Sequence, residues 1–454
     1  MSKWRSADAA KEAFTDESKD GAVVIDYKGQ KGRAAHERKL LKKDVDPDSE
    51  GVVAKISTLQ RGILSESTIS AGNVQPTRLR VTGTMDSGVS FVYATGRQVF
   101  TAHAPIRLSD DDQAKVTLGT QGINISNIVQ MKPPKCHPIV EDVLHTAEIQ
   151  SLAHKESLVA SVDARGMAVL YRSSSSAVDV IKDGASGESS RKKLKSTPTM
   201  TGHVLSGDGG TPELGWAGIA FNPLSSQLAT AHSFTKAVRF YDSHTLQTTR
   251  AHTSLLMPTA LAYSNTSTLV VAEYNQMSVW ETKSHQRIAR EGLPSLGCVH
   301  AVAWSPDGNS VALGGEDKVA YIYDTRKWKL RAVYVRRQPF TFPNHTACRW
   351  RCPLKYDVAY LAFSPTDPSL YYVAGLDNEL MVGKFDGSEK KKKDKHANEY
   401  SPTILQMNHR LGFRGDSRWV GLDVVQDITG DDLAIGACES GSVYAIHPAQ
   451  HMLG

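Results

Sequence analysis

Short apolar runs broken by polar turns recur along most of the chain, and hydrophobic and polar positions alternate with period two inside them. The stretch "VHAVAWSPDGNSVALGGEDKVAYIYDTR", from Val299, shows the pattern. An apolar strand ends in an aromatic followed by Ser-Pro, and a polar turn follows. A strand of small residues comes next, then a tight turn rich in acids and Gly. A third strand closes on an aromatic–acid pair. Alternation bounded by turn residues is the signature of strands. Similar copies start at Gly218, Ala260 and Ala359, and looser ones at Glu148 and Val420. The first strands end in Phe221-Asn222-Pro223, Tyr263-Ser264-Asn265, Trp304-Ser305-Pro306 and Phe363-Ser364-Pro365. The third strands end in Tyr241-Asp242, Trp280-Glu281, Tyr323-Asp324 and Phe385-Asp386.

Four short strands per unit of roughly 40–45 residues is the period of a propeller blade. One four-stranded blade leaves two apolar faces uncovered, and radial stacking covers both. The pattern predicts an all-β, seven-bladed β-propeller over residues 51–450. On these motifs the chain resembles the WD-repeat β-propeller family, with degenerate repeats: only Trp280-Glu281 approaches the literal Trp-Asp. In that family a His before the first strand commonly bonds the acid of the turn between the second and third strands. Asp317 lacks such a His, because His300 falls inside the strand. Residues 51–104 are expected to form the seventh blade, with Gly88 to His103 as its clearest hairpin. Residues 104–147 read as a loop plus one strand, Ile123 to Gln130, which closes the ring against the last blade.

Composition changes this picture little. The chain has 454 residues, 40% hydrophobic and 22% charged, with a formal charge of +5, as expected of a globular chain. No apolar run approaches the roughly 18 residues of a spanning helix, and the first twenty residues lack the apolar core of a signal peptide. Five scattered cysteines do not read as a disulfide framework. Residues 1–50, rich in mixed charges, read as a disordered extension with helix-forming composition around Ala34 to Lys43.

Three insertions break the repeat. Residues 173–199 carry Arg191, Lys192, Lys193 and Lys195, and residues 387–403 carry Lys390, Lys391, Lys392 and Lys393. Both fall between the third and fourth strands of their blades. Such runs suit a nuclear import signal, a nucleic-acid contact or a solvated loop. Residues 336–357 lie between blades and mix Arg336, Arg337, Arg349 and Arg351 with Phe340, Phe342 and Trp350. That interleaving fits a protein hot spot, stacking on RNA bases, or packing on the propeller. The same stretch holds His345, Cys348 and Cys352, one donor short of tetrahedral zinc, with Cys136-His137 as the other cluster.

No phosphate loop, nucleophile elbow or His-Glu-x-x-His motif is present, and nothing gathers a nucleophile, a base and an orienting group. No enzyme activity, cofactor, metal, membrane contact or small-molecule substrate is expected. The end of the Val299 unit also resembles the box by which some WD-repeat proteins dock on the damaged-DNA-binding adaptor of cullin-RING ubiquitin ligases. The matching positions are Asp317, Tyr323, Asp324 and Arg326. The sequence thus points to a non-catalytic scaffold for protein partners in a nuclear (alternatively cytoplasmic) multiprotein or ribonucleoprotein complex. A ligase substrate receptor docking through Tyr323-Asp324-Thr325-Arg326 and an RNA-binding module in RNA processing or ribosome assembly are the alternatives.

Overall fold

The alternating segments form antiparallel meanders, each with its first strand innermost. A computed structural model describes residues 55–64, 74–106, 118–119, 122–123, 129–173, 200–205, 210–293, 297–326, 328–334, 356–376, 378–384, 403–404 and 411–449. Blade 1 comprises Leu79–Met85, Gly88–Thr95, Gln98–Ala104 and Lys135–Pro138; blade 2, Ile149–Lys155, Leu158–Asp163, Ala168–Ser173 and Met200–Val204. Blade 3 comprises Ala217–Phe221, Gln227–His232, Ala237–Asp242 and Thr248–Thr253; blade 4, Pro258–Tyr263, Thr268–Glu273, Gln276–Glu281 and Gln286–Gly292. Blade 5 comprises Val299–Trp304, Ser310–Gly315, Ala320–Asp324 and Lys329–Tyr334; blade 6, Val358–Phe363, Leu370–Gly375, Glu379–Lys384 and Leu411–Arg414. Blade 7 comprises Trp419–Gln426, Asp432–Cys438, Ser442–Ala449 and, as its outer strand, Lys55–Ile63. The seven inner strands touch in succession and the seventh returns to the first. The architecture is therefore the all-β, seven-bladed propeller that the repeat predicts.

The core is divided among the blade interfaces. Seven buried clusters are found among the described residues, and each joins two neighbouring blades. Strand pleating explains the division, because successive side chains point to opposite faces. In blade 4, Leu269 and Val271 pack on blade 3, while Val270 and Ala272 pack toward blade 5. In blade 5, Val311 and Leu313 meet blade 4 while Ala312 meets blade 6. Middle strands are consequently buried on both sides: all six residues of Ser310–Gly315 are buried. That is why they read as nearly continuous apolar runs. Tyr241 and Tyr323, the aromatics of two aromatic–acid pairs, fill interblade space.

Closure departs from expectation. Lys55–Ile63 does not belong to the first blade; it pairs antiparallel with Ser442–Ala449, from Lys55↔Ala449 to Ile63↔Ser442. Blade 1 instead runs from Leu79 to Pro138 and takes its outer strand, Lys135–Pro138, from the stretch expected to be loop. The segment "INISNIVQ" does reach the last blade, where Val129–Gln130 pairs in parallel with Lys55–Ile63. The outer strand of the seam blade thus comes from the opposite end of the chain to its other three. Leu59 is fully buried there, opposite Ile446, in the cluster between blades 6 and 7.

Leu59→Ala removes a buried side chain from the seam and is expected to cost about 2–5 kcal/mol, read as a lower urea midpoint. A loss below about 1 kcal/mol would mean that this strand carries little of the ring's stability.

Candidate interaction faces

An antiparallel meander sends alternate turns to opposite ends. Face I carries the turns between first and second and between third and fourth strands. Face II carries the turns between second and third strands and the connections from blade to blade. Both basic insertions are flanked by third and fourth strands, Ala168–Ser173 with Met200–Val204 and Glu379–Lys384 with Leu411–Arg414, so both open on face I. The Arg–aromatic insertion is flanked by Lys329–Tyr334 and Val358–Phe363 and opens on face II. Arg191 to Lys195, Lys390 to Lys393, and Arg336, Arg337, Phe340, Phe342, Arg349, Trp350 and Arg351 lie outside the described residues, as do residues 1–50 with the stretch around Ala34, and His345, Cys348 and Cys352.

Arg326 stands on face I. Its backbone N–H and Nε donate to Asp324 Oδ1 at 2.9 and 3.0 Å, and Nη2 donates to Oδ2 at 2.6 Å. The Arg326 side chain is 65% exposed and that of Asp324 is 8%. Thr325 ties the same turn to its neighbour, donating through N–H to the Asn309 carbonyl and through Oγ1 to that of Gly308. Blade 3 shows which part of this is scaffold. There Asp242 accepts the N–H groups of His244 and Thr245 and the hydroxyl of Ser226. Those hydrogen bonds, Ser226's first, hold its carboxyl down at about 2. The acid after the aromatic is therefore a turn fastener. What blade 5 adds is a guanidinium held in place and turned to solvent. Tyr323 is buried between blades, and burial first, then Glu291, pushes its hydroxyl well up. Asp317 lies at the face II end and accepts the Tyr321 hydroxyl and the Val319 N–H. The four box residues therefore do not form one site: Asp324 and Arg326 meet, while Tyr323 and Asp317 are structural.

Face II carries apolar surface that the sequence reading did not single out. Leu214, Phe234 and Leu255 are 61%, 61% and 65% exposed, and Met257 joins them. Backbone bonds bring their turns together. Ser233 N–H donates to the Trp216 carbonyl at 2.9 Å, and Ser254 N–H to that of Lys236 at 2.6 Å. Gly215 lies against the Phe234 ring, where a Cβ would sit 2.6 Å from the ring carbon Cδ2. An exposed apolar cluster of this kind marks an interaction surface. Alternating patterns do not reveal it, because all four residues lie in turns.

Buried polar groups secure face II. In blade 2, His145 Nε2 lies 2.6 Å from Ser161 Oγ and Nδ1 lies 3.4 Å from Asp163 Oδ2. Asp163 Oδ1 accepts the N–H groups of Arg165 and Met167, and Oδ2 that of Ala147. Burial pushes the Asp163 carboxyl up, but the His145 hydrogen bond and these N–H donors outweigh it and hold it below its ordinary value. His232 donates from Nε2 to the Ala164 carbonyl across the interface of blades 2 and 3. Its ring lies 3.2 Å from where a Cβ on Gly166, φ +76°, would stand. Burial lowers the pKa of His232 and, at the face I end of blade 7, of His447, the latter against the opposing pull of Asp427. In blade 5, Cys298, His300 and Glu316 bring one donor atom each within 4.8 Å of one another. Burial, then Glu316, raises the Cys298 thiol to about 11. Burial lowers His300 against Glu316 and Asp357. The sequence reading did not single out this cluster, whose signal was Cys-x-His on one side of a strand with Glu at the end of the same hairpin.

Residues 294–324, which cover the first three strands of blade 5, match the family model for the WD domain, G-beta repeat. Blade 5 thus matches a WD repeat, and the chain has the fold of a seven-bladed β-propeller. A chain from the crystal structure of the mitotic checkpoint complex has the same fold, with a TM-score of 0.53, 12% identity, and coverage of 89% of this chain and 98% of that one. Since 1668 solved chains match, the likeness defines an architecture and no partner. No curated protein matches. The WD-repeat propeller is typically a non-catalytic scaffold for protein–protein interaction.

The histidines give the propeller an acid limit. His232 and His447 have folded pKa values below their ordinary one, so the unfolded chain binds their protons first. Their contribution is intact at neutral pH and is lost as pH falls through about 6.5 toward the lower folded values. Asp163, also lowered, adds a second loss below about 3.9. Urea midpoints are expected to fall between about pH 7 and pH 5.5 and to fall less in His232→Gln. A flat profile in the native chain would contradict this account.

Proposed function

We propose that the chain is a non-catalytic scaffold that holds protein partners against face II, within a nuclear multiprotein or ribonucleoprotein complex. The observation that carries the reading is the exposed set Leu214, Phe234, Leu255 and Met257, presented by turns whose backbone is fixed by the sheets beneath. A rigid ring presents such residues at low ordering cost, so more of the apolar contact energy remains as affinity. The nuclear placement draws on the basic runs of the two face I insertions.

A second reading has its own support. Arg326 is exposed and held by Asp324 at a defined position, as the docking box of ligase substrate receptors requires. Under that reading face I meets the adaptor and face II the substrate. The RNA-binding reading rests on the Arg–aromatic insertion and predicts affinity that falls steeply with salt.

The test is a pull-down from cells with three baits: the native chain, a Phe234→Asp/Leu255→Asp pair, and Arg326→Ala. The paired variant is expected to lose the main partners by about 2 kcal/mol or more, roughly 30-fold, while Arg326→Ala keeps them. Retention of every partner by the paired variant sinks the face II reading. Appearance of the ligase adaptor with the native chain and its absence with Arg326→Ala would instead establish the second.

A further inference from the structure

Cys298, His300 and Glu316 converge at the face II end of blade 5, and the scaffold reading uses none of them. Cys298 precedes the inner strand and His300 is that strand's second residue. Two positions apart, their side chains leave the same side of the strand. The register Val299↔Gly315 then brings Glu316 alongside. Two hydrogen bonds fix the arrangement. Glu316 N–H donates to the Cys298 carbonyl at 3.0 Å, and Cys298 N–H donates to Glu316 Oε2 at 2.9 Å. The absence of a side chain at Gly297 leaves room for the carboxylate, because a Cβ there would stand 2.7 Å from Glu316 Cβ.

The donors have few partners. Cys298 Sγ is 3.7 Å from the Val299 carbonyl and shares a side-chain hydrogen bond with Thr259. Among the described residues the His300 ring makes no hydrogen bond and Glu316 Oε1 accepts none, although the imidazole is half buried. A half-buried ring without a partner, facing a thiol and a carboxylate, calls for a group that satisfies all three.

We propose that this cluster is a divalent metal site of zinc type, with Cys298 Sγ, a His300 ring nitrogen and a Glu316 carboxylate oxygen as ligands and the fourth position open. The donor set decides the ion class. A thiolate and an imidazole select zinc-like ions over magnesium and calcium, which take oxygen. Zinc bond lengths of about 2.0–2.3 Å at tetrahedral angles put donor atoms roughly 3.3–3.6 Å apart. Donors already within 4.8 Å of one another reach that by small side-chain rotations. Binding releases the thiol proton to solvent. The thiolate and carboxylate then balance the charge of the ion, so the half-buried site is left neutral. Asp357, at the start of the inner strand of blade 6, acts electrostatically on His300 and also faces Lys318.

The experiment is titration of the full chain with cobalt(II), followed by displacement with zinc. The native chain is expected to bind one cobalt ion with a thiolate-to-cobalt charge-transfer band in the near ultraviolet. Cys298→Ser removes the band, and His300→Gln weakens binding by more than about 100-fold. A Cys348→Ser/Cys352→Ser variant keeps both the band and the affinity. Circular dichroism checks that Cys298→Ser, at a buried position, folds; if it does not, His300→Gln, at a half-buried one, decides. A native chain without the band, a band that survives His300→Gln at full affinity, or a band lost in the Cys348/Cys352 variant overturns the assignment.

Discussion

Each blade has two apolar faces, and no blade covers its own. The burial of a strand such as Ser310–Gly315 therefore requires both neighbours at once. This makes the ring cooperative around its circumference, since stability in stacked repeats lies largely in the interfaces. It also makes closure the decisive step. The interface between blades 7 and 1 exists only when strands separated by most of the chain have met, and blade 7 needs Lys55–Ile63 to cover its outer edge. An unpaired edge there would expose a row of N–H and carbonyl groups ready to pair with another chain. Contacts of that sequence separation form late and slowly. The parallel addition of Val129–Gln130 covers the seam edge once more, and Thr403–Ile404 does the same for the outer strand of blade 5.

The same architecture explains why the repeats are degenerate. Each blade must fasten its face II turn, but the fastening group need not be the same. Blade 2 uses Asp163 with His145. Blade 4 uses Glu273, whose Oε2 accepts the N–H groups of Leu255 and Leu256. Blade 5 uses Asp317 with the Tyr321 hydroxyl in place of the missing His. On face I, Asp432 of blade 7 accepts Tyr372 and Thr366 of blade 6. What the fold demands is a satisfied buried acid at a turn, and several chemistries meet that demand. A match to the family pattern over residues 294–324 is therefore compatible with a full ring.

This also decides what could be read from the chain. Strand identity was legible because pleating writes itself as period two, and the blade count was legible because the unit recurs. The positions of the two basic insertions between third and fourth strands followed from the same grammar. Closure was not legible. "KISTLQRGI" alternates as well as any strand, and nothing local says that its partner lies almost four hundred residues away at Ser442–Ala449. Lys135–Pro138 was missed for the opposite reason. Two prolines, Pro133 and Pro134, stand before it and its burial alternates only weakly, because an outer strand has one face in solvent. The sites divide in the same way. Asp324 stood out because it sits at a repeated position, and Arg326 because no other blade repeats it. Phe234 and Leu255 did not, since their juxtaposition depends on which turns share a face, and the Cys298 cluster went unread because Glu316 joins Cys-x-His only through the hairpin register.

The division of the two faces bears on how Arg326 can act. Its pair with Asp324 is largely exposed on the arginine side, and an exposed ion pair contributes about 0–1 kcal/mol. The internal partner therefore does little to hold the guanidinium back from an incoming acceptor. It does limit the positions the side chain samples, so that less entropy is lost on docking. A partner gains most when it covers the pair and leaves Asp324 in place, since Asp324 also accepts the Arg326 N–H and fastens the turn. Under the docking reading proposed above, Arg326 is a positioned cation at an interface rim, which favours orientation and association rate over affinity. The apolar turns of face II, Leu214, Phe234 and Leu255, offer the desolvated contact that affinity needs. The two faces are consequently unequal: face I can orient a partner at Arg326, and face II can retain one.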